Sequence, residues 1–287
     1  MRPNITVPNE IRGANRTARN AATGKWMTGF ARLGYAAKGV VYLIIGFLAA
    51  KLATGQGGSA TDQRGALHTI YGQPFGKFLL IIVAIGLLAF ALWSLIQAIY
   101  DTEGKGRDAK GIIGRIGYAA VGIAYAALAL GAYQLATGTG NGGQSSTSST
   151  QDWTAKLLKL PFGVPLVVIV GLVVLGIAVY LFAKAYTAKF QRRLGLASLR
   201  AQVRKFAIFM GRLGYAALGV VFTIIGIFMI VAAVQFNPQK AKGLDTALGE
   251  LLSLPFGPVL LGIVALGLIA YGVYSFVEAR YRRLGRA

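Results

Sequence analysis

The sequence predicts an all-α integral membrane protein. Its six transmembrane helices form three parallel helical hairpins in a pseudo-threefold arrangement, with short amphipathic helices on the external side. Three observations predict this. Of 287 residues, 55% are apolar and only 14% are charged, yet the net charge is +21. A mean hydropathy of +0.58 then requires the cations to sit between long apolar blocks. Disorder would need low hydrophobicity beside high charge, and a nucleic-acid binder an evenly basic surface, so neither class fits and no nucleic-acid partner is expected. Finally, the apolar blocks are long enough to cross a bilayer, and they recur in pairs.

Residues 1–29 are polar and basic and read as a cytoplasmic tail, without the apolar core of a signal peptide. The first span covers about 33–50 and is interrupted only by Lys38. That residue lies six positions beyond Arg32, about 9 Å along a helix, so its stem is expected to carry the ammonium back to the headgroups. Five further charge-free stretches follow at 78–96, 116–136, 160–183, 213–236 and 251–277, each at or above the roughly 18 residues of a transmembrane candidate.

The odd-numbered spans open alike, with Arg32-Leu33-Gly34-Tyr35, Arg115-Ile116-Gly117-Tyr118 and Arg212-Leu213-Gly214-Tyr215, each followed by Gly39, Gly122 or Gly219 at one offset. The even-numbered spans are entered through Pro74-Phe75-Gly76, Pro161-Phe162-Gly163 and Pro255-Phe256-Gly257. Arg-to-Arg separations of 83 and 97 residues and Pro-to-Pro separations of 87 and 94 make three copies of one hairpin the economical explanation. The repeats are assigned to 30–100, 101–187 and 188–287, the last with a basic C-terminal tail. A repeat of two spans enters the membrane with the same polarity each time, so the copies are parallel. The segments on the side of the termini carry 22 Lys and Arg and the opposite connections carry 7, which predicts cytoplasmic termini in the inner membrane.

On these repeated openings and entries, over about residues 30–283, the chain resembles a family of bacterial membrane proteins built from three tandem two-helix repeats and defined only as a domain of unknown function. The resemblance implies a fold and a membrane location, and no reaction or cofactor. The stretch 137–151, rich in Gly, Ser and Thr, falls outside the repeated pattern and reads as flexible.

Arg and Tyr three residues apart share a helix face, so Arg32, Tyr35, Arg115, Tyr118, Arg212 and Tyr215 are expected to be interfacial anchors. Asp62, Asp152 and Asp245 each precede a short apolar-periodic segment in an external connection, and are expected to cap short helices, with an ion site as the alternative use of three carboxylates. In the Pro-Phe-Gly entries, Pro suits the first helical turn and Gly the bend. Near mid-span stand Tyr42, Tyr125 and Thr223, candidates to line a cavity. Gln97, Lys184 and Glu278 share an offset of 23 residues from each repeat's Pro, so a Lys184–Glu278 pair is expected near the inner surface.

Zero cysteines and one histidine, His68, exclude disulfides, thiolate nucleophiles, Fe–S clusters and multi-His metal sites. No cofactor, metal or catalytic residue is expected, and the protein reads as not an enzyme. The favoured function is a noncatalytic membrane-organising protein whose partners are membrane lipids, anionic headgroups on the cytoplasmic side, and a membrane protein. The alternative is a small-solute channel or transporter with a path along the pseudo-threefold axis.

Overall fold

The computed structural model describes residues 25–100, 108–140, 142–194 and 201–282; the N-terminal tail through residue 24 lies outside the described residues. Among the described residues, nine α-helices follow a long, short, long order three times. They are α1 (Lys25–Ala53), α2 (Gln63–Tyr71) and α3 (Gly76–Tyr100), then α4 (Ala109–Thr137), α5 (Ser146–Leu158) and α6 (Gly163–Thr187), then α7 (Ala201–Val234), α8 (Leu244–Ser253) and α9 (Gly257–Tyr281). The six long helices are apolar and long enough to cross a membrane. Helix is the natural answer to a solvent without hydrogen-bonding groups, because every backbone amide finds its carbonyl within the same segment.

The Pro-Phe-Gly entries divide their labour differently from the sequence reading. The left-handed residue is the phenylalanine, with φ of 61° at Phe75, 62° at Phe162 and 60° at Phe256, and the long helix begins at the following glycine. That glycine is needed for space: a Cβ on Gly76 would lie 2.3 Å from the carbonyl oxygen of Tyr71, and one on Gly257 would lie 2.0 Å from that of Leu252. The turn also splits the span expected at 251–277, whose first residues belong to α8.

The tightest helix pairs join different repeats, namely α3 with α4, α6 with α7, and α9 with α1. Glycines at one offset sit in all three seams. A Cβ on Gly39 would lie 2.9 Å from the Phe276 ring, one on Gly122 2.7 Å from Leu95, and one on Gly219 2.9 Å from the Phe182 ring. Small residues of this kind permit the backbone approach on which helix association in lipid depends. The α3/α4 and α6/α7 seams are bridged by the chain itself, whereas α9 and α1 belong to opposite ends of the sequence. Within a repeat, α1 packs on α3 and α7 on α9, while α4 and α6 do not pack along their length among the described residues.

Candidate functional site

The unlinked α9/α1 seam holds the site. Gly39 and Gly272 face each other there, and a Cβ on Gly272 would lie 2.9 Å from the Gly39 carbonyl oxygen. This approach brings two side chains of the spans together. Lys38 Nζ lies 3.3 Å from Glu278 Oε2 and donates to the Tyr271 hydroxyl at 3.2 Å. Arg282 Nη1 donates to the other carboxylate oxygen, Oε1, at 2.9 Å. Lys38 and Glu278 are each only 5% exposed. The Lys38 ammonium lies 5.0, 5.3 and 4.8 Å from the ring centroids of Tyr35, Phe90 and Tyr271, and the Arg282 guanidinium 4.9 Å from that of Tyr35. These rings form a wall around the ion pair.

The expectation that Lys38 reaches the headgroups is therefore corrected: its stem turns inward, where a carboxylate and three aromatic faces receive the ammonium. The expected approach of Lys184 to Glu278 is found in part: Lys184 acts on Glu278 electrostatically with its Nζ 3.9 Å from the Tyr215 ring centroid, while Lys38 and Arg282, which the spacing did not bring in, hydrogen-bond the carboxylate oxygens. The signal was present in the sequence, since Lys38 is the charge that interrupts the first span and Glu278 is the sole acidic residue in any span. Which helix faced which was not.

The anchor residues divide. Tyr35 and Tyr215 are buried, at 3% and 4% exposure, so their rings pack against the protein, and Tyr118 is half-buried. Arg115 donates from Nε to the Ala98 carbonyl at 2.6 Å and from Nη2 to that of Ile99 at 2.8 Å. Arg212 donates to the Tyr186 carbonyl at 3.3 Å. Both arginines thus satisfy the open C-terminal carbonyls of the preceding repeat's last helix, where a cation also suits the helix dipole. Arg32 is exposed at the same end.

The mid-span residues spend their side chains on packing and hydrogen bonds within the bundle. Tyr42 packs edge-on against Tyr271 with centroids 4.8 Å apart, and its hydroxyl accepts from Gln63 Nε2 at 3.3 Å. Tyr125 packs against Phe90 at 4.6 Å and hydrogen-bonds Tyr42. Thr223 spends its hydroxyl on the Gly219 carbonyl of its own helix, at 2.8 Å.

At the opposite end the three short helices meet. Asp62 caps α2, accepting from the amides of Arg64 and Gly65 at 3.0 and 2.9 Å, and its second oxygen accepts from the Ser146 amide across the repeat boundary. Asp245 is a first-turn residue of α8, whose N-cap is Gly243. It accepts from Ser146 Oγ at 2.9 Å and from Thr147 N and Oγ1 at 3.2 and 2.5 Å. Two carboxylates from repeats 1 and 3 therefore rest on the N-terminus of α5, where exposed amides favour negative charge. Asp152 is neither a cap nor part of this cluster: Ser145 caps α5, and Asp152 lies exposed within the helix. The Ser/Thr-rich stretch expected to be flexible supplies this helix start, because its hydroxyls answer the carboxylates brought by α2 and α8.

Lys38→Met and Glu278→Gln should each destabilise the protein in thermal melts by about 3 kcal/mol, the cost of leaving a buried charge without its partner. The double variant should lose clearly less than the sum of the two, and strict additivity would sever the pair from the seam. At the end where the short helices meet, Asp62→Ala and Asp245→Ala should each lower stability by about 0.5–2 kcal/mol, while Asp152→Ala should leave the melting temperature unchanged. A drop for Asp152→Ala equal to that for Asp62→Ala would contradict the placement of the α5 cap.

Comparison with known proteins agrees with the three repeats. The sequence matches the family described as Domain of Unknown Function (DUF1206) over residues 33–101, 116–188 and 213–282. It is 36% identical over 262 residues to Uncharacterized protein YxxB of Bacillus subtilis (strain 168), covering 91% of this chain and 94% of that relative. No solved structure matches it. Three matched segments, falling on the three helix pairs that the Arg-x-Gly-Tyr openings and Pro-Phe-Gly entries delimit, place the chain in the DUF1206 family of three-repeat, multi-pass membrane proteins.

Proposed function

We propose that this chain is a noncatalytic organising protein of the cytoplasmic (inner) membrane, holding lipids and membrane partners on its outer surface. Both termini face the cytoplasm, and anionic headgroups gather at its basic cytoplasmic end, where Lys and Arg near an anionic leaflet are each worth about 1 kcal/mol. The observation that carries the reading is the filling of the axis. Tyr271 meets Tyr42 at 4.8 Å and Tyr215 at 5.5 Å between centroids, and Phe90 meets Tyr35 and Tyr125 at 5.1 and 4.6 Å, so rings from all three repeats interlock. Aromatic pairs at such separations gain from their edge-to-face geometry as well as from burial. A small-solute channel or transporter, the competing reading, would need a path through these rings.

Purified protein in liposomes should leave the release of encapsulated solutes and pH-gradient-driven uptake at the level of empty vesicles. Reproducible flux lost in Glu278→Gln would overturn the organising role in favour of transport. Sidedness is tested separately: reporters fused before Met1 and after Ala287 should read cytoplasmic and one inserted after Gly140 external, and a cytoplasmic signal from the insertion would refute the orientation.

A further inference from the structure

Among the described residues, five other than glycine take the left-handed backbone conformation, and four of them are phenylalanines: Phe75, Phe162, Phe236 and Phe256. That conformation strains an L-residue with a bulky side chain and is entered more readily by Gly, Asn or Asp. The chain does place glycine at comparable bends. Past their last turns α1 and α4 reach left-handed Gly55 and Gly138, at φ of 70° and 72°, whereas α7 reaches Phe236 at 48°. The bend of the backbone therefore does not by itself call for phenylalanine.

Packing within the bundle does not call for it either. Phe75, Phe162, Phe256 and Phe236 are 84%, 82%, 83% and 63% exposed, unlike the enclosed rings of Tyr35 and Tyr215. All four lie in connections between the two long helices of one repeat, so they occupy one end of the bundle. Phe75, Phe162 and Phe256 stand immediately before α3, α6 and α9, each of 25 residues. Such a helix is about 37 Å long against a hydrocarbon core of about 30 Å, so each of its ends lies roughly 4 Å beyond the hydrocarbon. Exposed Lys77 and Lys159, two and three residues from Phe75 and Phe162, suit the same level. A strained backbone that holds an apolar ring clear of the bundle in every repeat is explained by what the ring meets outside it. At that level it meets the boundary between headgroups and acyl chains, where aromatic and other apolar side chains settle.

We propose that Phe75, Phe162, Phe236 and Phe256 are the interfacial anchors of this protein, their rings entering the lipid leaflet at the headgroup boundary and fixing the depth of the bundle. The rings would anchor an organising protein and a transporter alike.

The chain contains no cysteine, so a single cysteine replacing each phenylalanine can carry a nitroxide in phosphatidylcholine liposomes. Ser59→Cys, exposed in a connection, is the aqueous reference, and Leu266→Cys, exposed within α9, the hydrocarbon reference. Labels at the four positions should collide more often with oxygen than with a water-soluble nickel chelate, though by a smaller margin than at Leu266→Cys. A label that collides mainly with nickel would leave the ring in water, and one immobilised and shielded from both would assign it to a second copy or another protein; either overturns the anchor. Phe162→Trp, which keeps an aromatic ring, carries the test if the cysteine variants fail to fold. Lipids brominated near the headgroup should quench its added fluorescence more than lipids brominated at the chain ends, and the reverse order or no quenching would overturn the placement. Anchoring, as distinct from contact, is read from a label at Val259→Cys in the first turn of α9. Combining Phe75→Asn, Phe162→Asn and Phe236→Asn keeps residues that tolerate the left-handed backbone and removes three rings. Nickel collisions at Val259→Cys should then rise toward the Ser59→Cys level while the melting temperature in detergent holds. Unchanged collisions would mean that the rings touch lipid without holding the bundle, and a fall in melting temperature that they serve the fold; both refute the role.

Discussion

Apolar helices in a bilayer gain nothing by hiding from one another, because lipid tails are as apolar as leucine. Six such helices cohere only where their backbones come close enough for dense contact, and here that happens at glycines placed once per repeat. Gly39, Gly122 and Gly219 set the three seams between repeats, each against a side chain of the neighbouring even-numbered span. Arg115 and Arg212 act at one end of the two chain-linked seams by occupying the last carbonyls of the helix across from them. Bulk at a seam glycine would separate the helices and strand those arginines.

The seam between α9 and α1 has no chain connecting it, and it carries the buried ion cluster. Lys38, Glu278 and Arg282 are held there within an aromatic wall. Desolvating such a cluster costs about as much as its attraction returns, so it is better understood as a constraint on pairing than as a source of stability. Glu278 is the one carboxylate of α9, and Lys38 is the one lysine of α1 away from its ends, so the two ends of the chain meet in one register. At the opposite end of the bundle Asp62 and Asp245 play a related part, drawing α2 and α8 onto the start of α5.

The symmetry is broken at one place, and a single residue type explains it. Where Gly86 and Gly267 let a returning span cross its partner, the matching residue Val173 holds α6 away from α4. The two spans of repeat 2 are consequently the least buried of the six, although its opening and entry motifs are the same.

The sequence by itself determined the class, the number of spans, the threefold repetition and the presence of short connecting helices, because these depend on hydropathy, period and motif spacing along one dimension. Only the tertiary structure decided the partners. Lys38 read as a surface lysine because its depth was measured from Arg32 along its own helix, whereas its environment is made by Phe90, Tyr271 and Glu278 from elsewhere in the chain. Tyr35 and Tyr215 read as interfacial because Arg and Tyr at that spacing suit a headgroup region, and packing turned the rings inward. Asp152 read as a cap because it precedes an apolar period, but Ser145 begins the helix earlier once Asp62 and Asp245 are in place to receive Ser146 and Thr147. A local pattern fixes where a helix can lie in a membrane; which face of it meets which neighbour is settled by backbone approach and charge between segments that the linear order keeps apart.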